Sequence, residues 1–215
     1  MTLAYDLFWS FRSPYSYLIT HRLVALERDF DVSGAIRPVY PLAVRTPEFF
    51  EGRDPLWFSY LMLTRREAQV LGLPFRWPRP DPVYMDPATR TYPKEQPYIH
   101  RLTRLGVAAA ERGRGMAYLN EVSKLIWSGT VDNWHEGGHL AGAAERAGLD
   151  AAELDAAVDA EALRLHDVIE QNQVDQRAAG HWGVPLIAFN GEPFFGQDRF
   201  DAFRFRLEQQ GLKAR

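Results

Sequence analysis

The segments with strand character lie at the two ends of this chain of 215 residues, and a long helical stretch separates them. Residues Leu3 to Trp9 have the aromatic and aliphatic content of a buried strand, and Ala35 to Tyr40 predict a second one. Between them, the apolar positions of Tyr15 to Arg28 recur near helical spacing. This connection is too long for a hairpin, so we predict a right-handed unit of two parallel strands joined by a helix.

Helical periodicity dominates the middle of the chain, from about Pro55 to Gly180. Glycine, proline and other turn-forming residues interrupt it repeatedly, which predicts four to six helices. The proline-rich stretch Pro74 to Pro82 predicts a loop across the surface. We therefore expect an inserted helical domain over residues 51–180.

Strand character returns near the end of the chain. Val184 to Phe189 is apolar, and Asn190-Gly191 is a hairpin signal that lets Pro193 to Phe195 pair back antiparallel. Residues Gln197 to Gln210 then predict a last helix. The predicted order is strand, helix, strand, helical insertion, strand, strand and helix.

The composition excludes several classes of protein. A net charge of -3 gives no polyanion-binding surface, so we expect no nucleic-acid partner. The apolar runs, such as Leu56 to Leu63, are too short to span a bilayer, and the first residues lack a secretory signal pattern. We expect a cytoplasmic protein without a membrane partner. The chain has no cysteine, so any sulfur chemistry must use a thiol from another molecule.

The first short motif, Ser13-Pro14-Tyr15-Ser16, stands where the first strand gives way to the first helix. Serine is a favoured N-cap and proline a favoured first helical residue, so the motif predicts a helix cap. Free N–H groups and the positive end of the helix dipole also converge there and would stabilise a thiolate. A hydroxyl that donates to this thiolate lowers its pKa from about 8.5. Both interpretations, a cap and an activator of a borrowed thiol, stay open.

Two further motifs lie near the end of the chain. In Gly183-Val184-Pro185 a proline begins the third strand, where it need not donate to the ladder, and its peptide bond can be cis. In the segment Phe194 to Arg199, Asp198 stands at the expected N-terminus of the last helix, where capping is its simplest role.

Together, the three motifs resemble those of the kappa-class glutathione transferases and 2-hydroxychromene-2-carboxylate isomerases, which are relatives of the bacterial disulfide oxidoreductase DsbA. Ala68 to Phe75 and Ala147 to Asp150 share the resemblance. It implies an α/β, thioredoxin-like fold. In that fold residues 1–50 and 181–215 form the thioredoxin-like domain, and the helical domain of residues 51–180 is inserted into it.

The resemblance also implies roles for individual residues. In that family a serine replaces the redox cysteine and contacts the glutathione sulfur. The residue before a cis-proline pairs its backbone with the cysteinyl part of glutathione, and a G-x-D-R segment binds the γ-glutamyl end. By position these roles fall on Ser13, on Val184 with Pro185, and on Gln197 with Asp198. The resemblance implies a homodimeric, glutathione-dependent transferase or isomerase that acts on a hydrophobic, aromatic electrophile.

The chain departs from the family in two places. Family members commonly carry Asn or Lys in the loop after the second strand, whereas Pro41 to Glu51 contains Arg45 and neither of these. Arg45 can replace them, because a guanidinium pairs with a carboxylate, or it can be a solvated surface charge. The stretch Pro78 to Pro97, which would face the second substrate, is unlike the family, so the substrate cannot be carried over.

Several other residues are candidates for a functional role. His135 to His139 spells the zinc motif H-E-x-x-H, but its two adjacent glycines disfavour a helix by about 1 kcal/mol each, so we expect no metal. His21 could be a base near the site, but a partly buried surface position is its simpler role. His181 and Trp182 could line the site, and for them ordinary packing is the simpler role.

The alternative from another class is a noncatalytic thioredoxin-fold binding protein or scaffold, in which Ser13 is only a cap. A scaffold would not lower the pKa of a bound glutathione thiol, whereas the enzyme would. A disulfide oxidoreductase that uses its own thiols is excluded by the absence of cysteine.

Overall fold

The computed structural model describes residues 2–50, 60–89 and 91–215. Within these ranges one sheet is built from four strands, namely β1 (Leu3–Trp9), β2 (Val32–Pro38), β3 (Leu186–Phe189) and β4 (Glu192–Phe195). Their order across the sheet is β2-β1-β3-β4. β1 and β2 are parallel, whereas β3 is antiparallel to β1 and β4 is antiparallel to β3. The predicted parallel unit and the predicted hairpin are both confirmed.

β2 differs from its prediction at both ends. It begins at Val32 instead of Ala35, because its ladder with β1 starts at the pair Leu3 and Val32. Gly34 belongs to the strand because the Tyr5 ring packs over it, and a Cβ there would lie 2.7 Å from Cζ of that ring. The strand ends at Pro38, two residues before the predicted end at Tyr40.

The described residues form nine α-helices. These are α1 (Pro14–Asp29), α2 (Leu42–Arg45), α3 (Tyr60–Val70), α4 (Ile99–Glu111), α5 (Gly115–Trp127), α6 (His139–Arg146), α7 (Ala151–Ala160), α8 (Ala162–Ala178) and α9 (Phe200–Gln209). Seven of them, α2 to α8, lie between β2 and β3, and six of these, α3 to α8, fall within the range of the predicted helical insertion. The predicted loop, Pro74 to Pro82, contains neither helix nor strand. None of the helices described here is long and apolar enough to cross a membrane.

The last helix begins later than predicted. Gln197–Arg199 is a 3-10 turn, and α9 starts only at Phe200. Gly196, with φ 98°, turns the chain sharply before this segment, so the three residues after it wind tightly before the α-helix starts. Asp198 therefore lies inside the turn and is not the helix cap that the sequence predicted.

A shared core joins the sheet to the inserted helices at the point where β1 ends. The Trp9 and Phe11 rings meet edge to face with centroids 4.7 Å apart, and Phe11 contacts Tyr118 of α5 in the same way. The indole N–H of Trp127, also on α5, donates to the Phe11 carbonyl oxygen at 3.0 Å. The turn that follows β1 is thus held by the insertion. The division into two domains stays a prediction.

Candidate active site

The turn between β1 and α1 places Ser13 at the N-cap of α1. Its φ and ψ are extended, and its Oγ accepts a hydrogen bond from the backbone N–H of Ser16 at 3.2 Å. The buried Trp9 indole N–H donates to the Ser16 carbonyl at 3.1 Å and to the Thr20 hydroxyl at 3.0 Å. The predicted cap is confirmed, and the first turn of the helix is anchored on the core.

The donors of this first turn can be counted. Pro14 has no N–H, the Ser13 N–H donates to the Ser10 carbonyl, and the Ser16 N–H donates to Ser13 Oγ. In the described part of the chain, the Tyr15 N–H meets no acceptor. The first turn of α1 also carries no acidic residue. An N–H group and the positive end of a helix of 16 residues are therefore available to an anion beside Ser13.

The segment before β3 faces Ser13. The Val184-Pro185 peptide bond is cis, as the motif allowed. Ser13 Oγ lies 3.4 Å from the Val184 carbonyl oxygen, to which it donates a long hydrogen bond. The Gly196 N–H donates to the Pro185 carbonyl at 3.0 Å. The fold thus brings together Ser13 and Val184, which are 171 residues apart in the chain.

A cleft of about 260 Å³ opens between these two segments. Ser13 and Val184 line it, and aromatic side chains form much of the rest. Trp182 and Phe195, both more than two-fifths exposed, contribute two of these rings. His181 stacks on Phe195 with ring centroids 3.8 Å apart. The cleft combines a hydroxyl at a helix N-terminus with an apolar, aromatic wall.

Arg45 lies beside this cleft and not in it. Its two Nη atoms donate to Gln176 Oε1 and to the Trp182 carbonyl, each at 3.0 Å. The Gln176 amide in turn donates to the Gly183 carbonyl at 2.7 Å. Burial, with a smaller contribution from the charge of Arg177, lowers the pKa of Arg45 to about 10. Arg45 is thus a partly buried brace for the segment before the cis-proline, and not a freely solvated surface charge.

Gln197 and Asp198 follow β4, at the same open end of the β3–β4 hairpin as the cis-proline segment. Gln197 is buried, and its amide donates to the Glu67 carboxylate of α3. The Asp198 side chain is largely exposed and lies 3.7 Å from the Arg199 guanidinium. Burial raises the pKa of Tyr15, and the nearby charges of Glu67 and Asp198 add to this effect. Both carboxylates therefore act on the Tyr15 side chain.

The sequence matches a known domain family along nearly its whole length. Residues 5–208 match the DSBA-like thioredoxin domain. The chain belongs to this family. The match spans nearly the whole chain and confirms the thioredoxin-like α/β fold with a helical insertion. Among curated proteins, none matches the sequence significantly.

Solved structures resemble this DSBA-like chain over almost their full length. A 2-hydroxychromene-2-carboxylate isomerase is 19% identical, with a TM-score of 0.74 over 97% of this chain and 96% of the isomerase. A probable DsbA oxidoreductase from Streptomyces coelicolor is 18% identical, with a TM-score of 0.66 and coverages of 96% and 89%. The cytosolic disulfide reductase DsbM from Pseudomonas aeruginosa, solved with GSH, is 18% identical with a TM-score of 0.60 and coverages of 97% and 98%. At such identities these likenesses show the fold alone.

His21 and the His135 to His139 motif do not line the Ser13 cleft of this DSBA-like domain. His21 lines a separate cleft of about 510 Å³ between α1, α5 and α6. His135 lies in a turn and His139 opens α6, with Gly137 at φ 58° between them, so the two histidines do not share a helix. No group of three or more metal-binding side chains occurs in the residues that the structure describes.

Two residues at or beside the cleft, Arg12 and Asp81, were not predicted from the sequence. Arg12 lines the cleft directly before Ser13, and Asp81 pairs with it from the loop after α3. The two are 69 residues apart, and no local pattern predicts an ion pair across that distance. Only the fold shows it.

His181 gives this site a predictable pH dependence. Its Nδ1 accepts the Gly183 N–H at 2.8 Å, which only a neutral ring nitrogen can do, and burial lowers its pKa. Just below about pH 6.5, His181 therefore binds fewer protons in the folded state than in the unfolded chain. The contribution of His181 to the free energy of unfolding accordingly rises with pH in that range. A His181→Phe variant keeps the stacked ring and loses this titration.

The measurement is urea unfolding of wild type and His181→Phe at a series of pH values. The stability of the wild type relative to the variant should increase as pH rises to about 6.5 and stay constant above it. Other histidines contribute equally to both proteins. Two parallel curves across this window would show that His181 titrates alike in the folded and unfolded states.

Proposed function

We propose that this chain is a glutathione-dependent transferase or isomerase in which Ser13 stabilises the glutathione thiolate. One observation carries the proposal. Ser13 Oγ lies at the N-terminus of α1, within 3.4 Å of the residue before a cis-proline, in a DSBA-like chain without cysteine. At the start of α1, where a redox relative would carry a cysteine, Ser13 thus offers its hydroxyl to the sulfur of a bound thiol.

The hydrogen bonds of Ser13 suit this role. Its Oγ already accepts from the Ser16 N–H, so its own proton remains available for donation. Without a ligand, Ser13 Oγ donates this proton to the Val184 carbonyl oxygen, and the two oxygens are 3.4 Å apart, which makes a weak hydrogen bond. A thiolate would accept the proton instead and form a stronger, charge-assisted hydrogen bond. The Tyr15 N–H and the dipole of α1 add to the stabilisation. All three favour the charged form of the thiol and lower its pKa.

Neighbouring residues would hold the remainder of glutathione. The Val184 backbone would pair with the cysteinyl part, next to Pro185. Gln197 and the exposed carboxylate of Asp198 would bind the γ-glutamyl end, whose ammonium carries the opposite charge. Arg45 would attract a peptide carboxylate from beside the cleft. These roles are proposals that the positions of the residues support.

The second substrate would be a small hydrophobic electrophile. The aromatic rings that line the cleft favour a flat apolar group. The thiolate sulfur donates an electron pair to an electrophilic carbon and forms a carbon–sulfur bond. At the same time a π bond of that carbon opens and its electron pair moves into the conjugated group, or, on an aryl halide, the halide leaves with the electron pair. A transferase releases the thioether product, whereas an isomerase rotates the adduct, expels the thiolate as the π bond re-forms, and so returns glutathione. The same residues serve both outcomes. A homodimer and a cytoplasmic location stay predictions.

The test is a calorimetric titration with glutathione at neutral pH, followed by the ultraviolet absorbance of the bound thiolate. We expect saturable binding and a thiolate signal well below the free-thiol pKa of about 8.5. Binding without a thiolate would favour the noncatalytic scaffold. No binding at millimolar glutathione would remove glutathione from the proposal.

A further inference from the structure

One carboxylate connects the loop between α3 and α4 to the turn that carries Ser13. Asp81 accepts hydrogen bonds from Arg12 Nε at 3.3 Å and from Arg12 Nη2 at 3.2 Å. It also accepts from the Trp77 indole at 3.1 Å and from the Val83 N–H at 2.9 Å. Four donors therefore converge on Asp81, which fixes its own loop and the Arg12 guanidinium together.

Arg12 is the cleft-lining member of this group. It directly precedes Ser13, and its side chain is only 15% exposed. The guanidinium carbon lies 5.4 Å from the ring centroid of Trp77 and 5.9 Å from that of Tyr92. A planar guanidinium that pairs with a carboxylate and contacts two rings loses little further freedom when a ligand packs on it. Arg12 thus gives the cleft a rigid surface beside Ser13.

The Arg12 charge is paired with a carboxylate beside the cleft. Asp81 supplies a negative charge to the Arg12 guanidinium, and the rings of Trp77 and Tyr92 also contact that guanidinium. Trp182 and Phe195 extend the same cleft with apolar rings. A ligand group in the cleft therefore meets aromatic surface and a neutralised ion pair. Such a lining favours an uncharged aromatic group over an anionic one.

We propose that Asp81 is a positioning residue that sets the selectivity for the second substrate. It acts through Arg12, which it holds in place and neutralises, so that the cleft beside Ser13 accepts neutral aromatic groups. Asp81 itself does not line the cleft and has no part in holding glutathione. This inference rests on the proposed function and names the substrate class of the same site.

The probes are glutathione, S-benzylglutathione and S-(carboxybenzyl)glutathione, each titrated calorimetrically. Wild type should bind the benzyl derivative more tightly than the carboxybenzyl one. Asp81→Asn removes one negative charge from beside the Arg12 guanidinium, so the ratio of the two affinities should shift by about tenfold toward the carboxylate, as expected for coupled charges in contact. Both derivatives carry the same glutathione part, so the ratio reports on the benzyl end alone, and saturable binding of either derivative shows that the variant is folded.

Two further variants separate selectivity from structure. Asp132 pairs with Arg76 of the same loop but does not line the cleft, so Asp132→Asn should leave the ratio unchanged. The double variant Arg12→Met with Asp81→Asn is again neutral and should return the ratio toward that of wild type.

The results that contradict the role of Asp81 differ from those that contradict the proposed function. An unchanged ratio in Asp81→Asn, an equal loss for all three ligands, or a wild type that prefers the carboxylate overturns the role of Asp81 and leaves the proposed function standing. A wild type that binds none of the three ligands removes the proposed function, and the role of Asp81 with it.

Discussion

Replacing Ser13 with alanine is expected to raise the thiol pKa of bound glutathione and to lower turnover sharply while leaving the fold intact. The variant loses the hydroxyl that would donate to the glutathione sulfur, and removal of one preorganised donor lowers turnover by roughly a hundredfold to a thousandfold. The thiol pKa of bound glutathione should return toward about 8.5. The measurements are the thiolate absorbance of the complex as a function of pH and the rate with an activated aryl halide.

Ser13→Ala should lower the stability of the protein only slightly, and a control variant can reproduce the same loss. Ser13 caps α1 by accepting the N–H of Ser16, so its loss should lower the free energy of unfolding by about 1 kcal/mol. Asp150 caps α7 in the same way, through the N–H of Glu153 at 2.9 Å, far from the cleft. Asp150→Ala is therefore the control, with a similar loss of stability and no change in thiolate signal. Equal activity losses in both variants would reduce Ser13 to a cap.

Much of the fold could be predicted because its signals are local. Leu3–Trp9 and Pro14–Asp29 follow from apolar periodicity and from the serine and proline at the helix start. The hairpin follows from Asn190-Gly191, whose residues both have positive φ. Boundaries were less predictable where tertiary packing decides them. Gly34 interrupts the apolar pattern of β2, yet pairing with β1 and the Tyr5 ring above it keep it in the strand.

The site could be predicted only in part for the same reason. Ser13 and Val184 stand in recognisable motifs, and the fold brings them to 3.4 Å. Asp198 was misplaced because a helix N-terminus and a 3-10 turn share the same acidic signature in sequence. The brace from Arg45 to the Trp182 carbonyl joins residues 137 positions apart, and no pattern along the chain reports such a contact. Long-range polar contacts are what the sequence leaves unspecified.

Adding one methyl group at Gly183 is expected to displace the wall of the cleft. A Cβ there would lie 2.4 Å from Phe195 Cε2 and 2.9 Å from His181 Cε1. The two rings are stacked on each other, so neither can move toward the other to make room. The Gly183 carbonyl is also held by Gln176 at 2.7 Å, which resists movement of the backbone. The strain must move Phe195 outward or shift the adjacent Val184.

A shift of Val184 displaces the carbonyl that faces Ser13, and a movement of Phe195 displaces the cleft wall, so glutathione affinity and turnover in Gly183→Ala should fall by up to about a hundredfold, as misplacement of about 1 Å can cause. The free energy of unfolding should fall by about 1–3 kcal/mol, which is typical of overpacking. Gly138→Ala is the matched control, because Gly138 has an ordinary φ of -94° and open space around its Cβ position.

A second change separates the two routes by which the strain is relieved. Phe195→Ala in the Gly183→Ala background removes the ring that the new methyl group meets first. If Val184 is displaced only because Phe195 cannot yield, the double variant recovers glutathione affinity although it has lost an aromatic wall. If the affinity stays low, the backbone held by Gln176 and His181 has shifted, and the position of Val184 depends on that brace more than on the stacked rings. Wild-type affinity in Gly183→Ala alone would show that the added methyl group displaces neither the Val184 carbonyl nor the part of the wall that contacts glutathione.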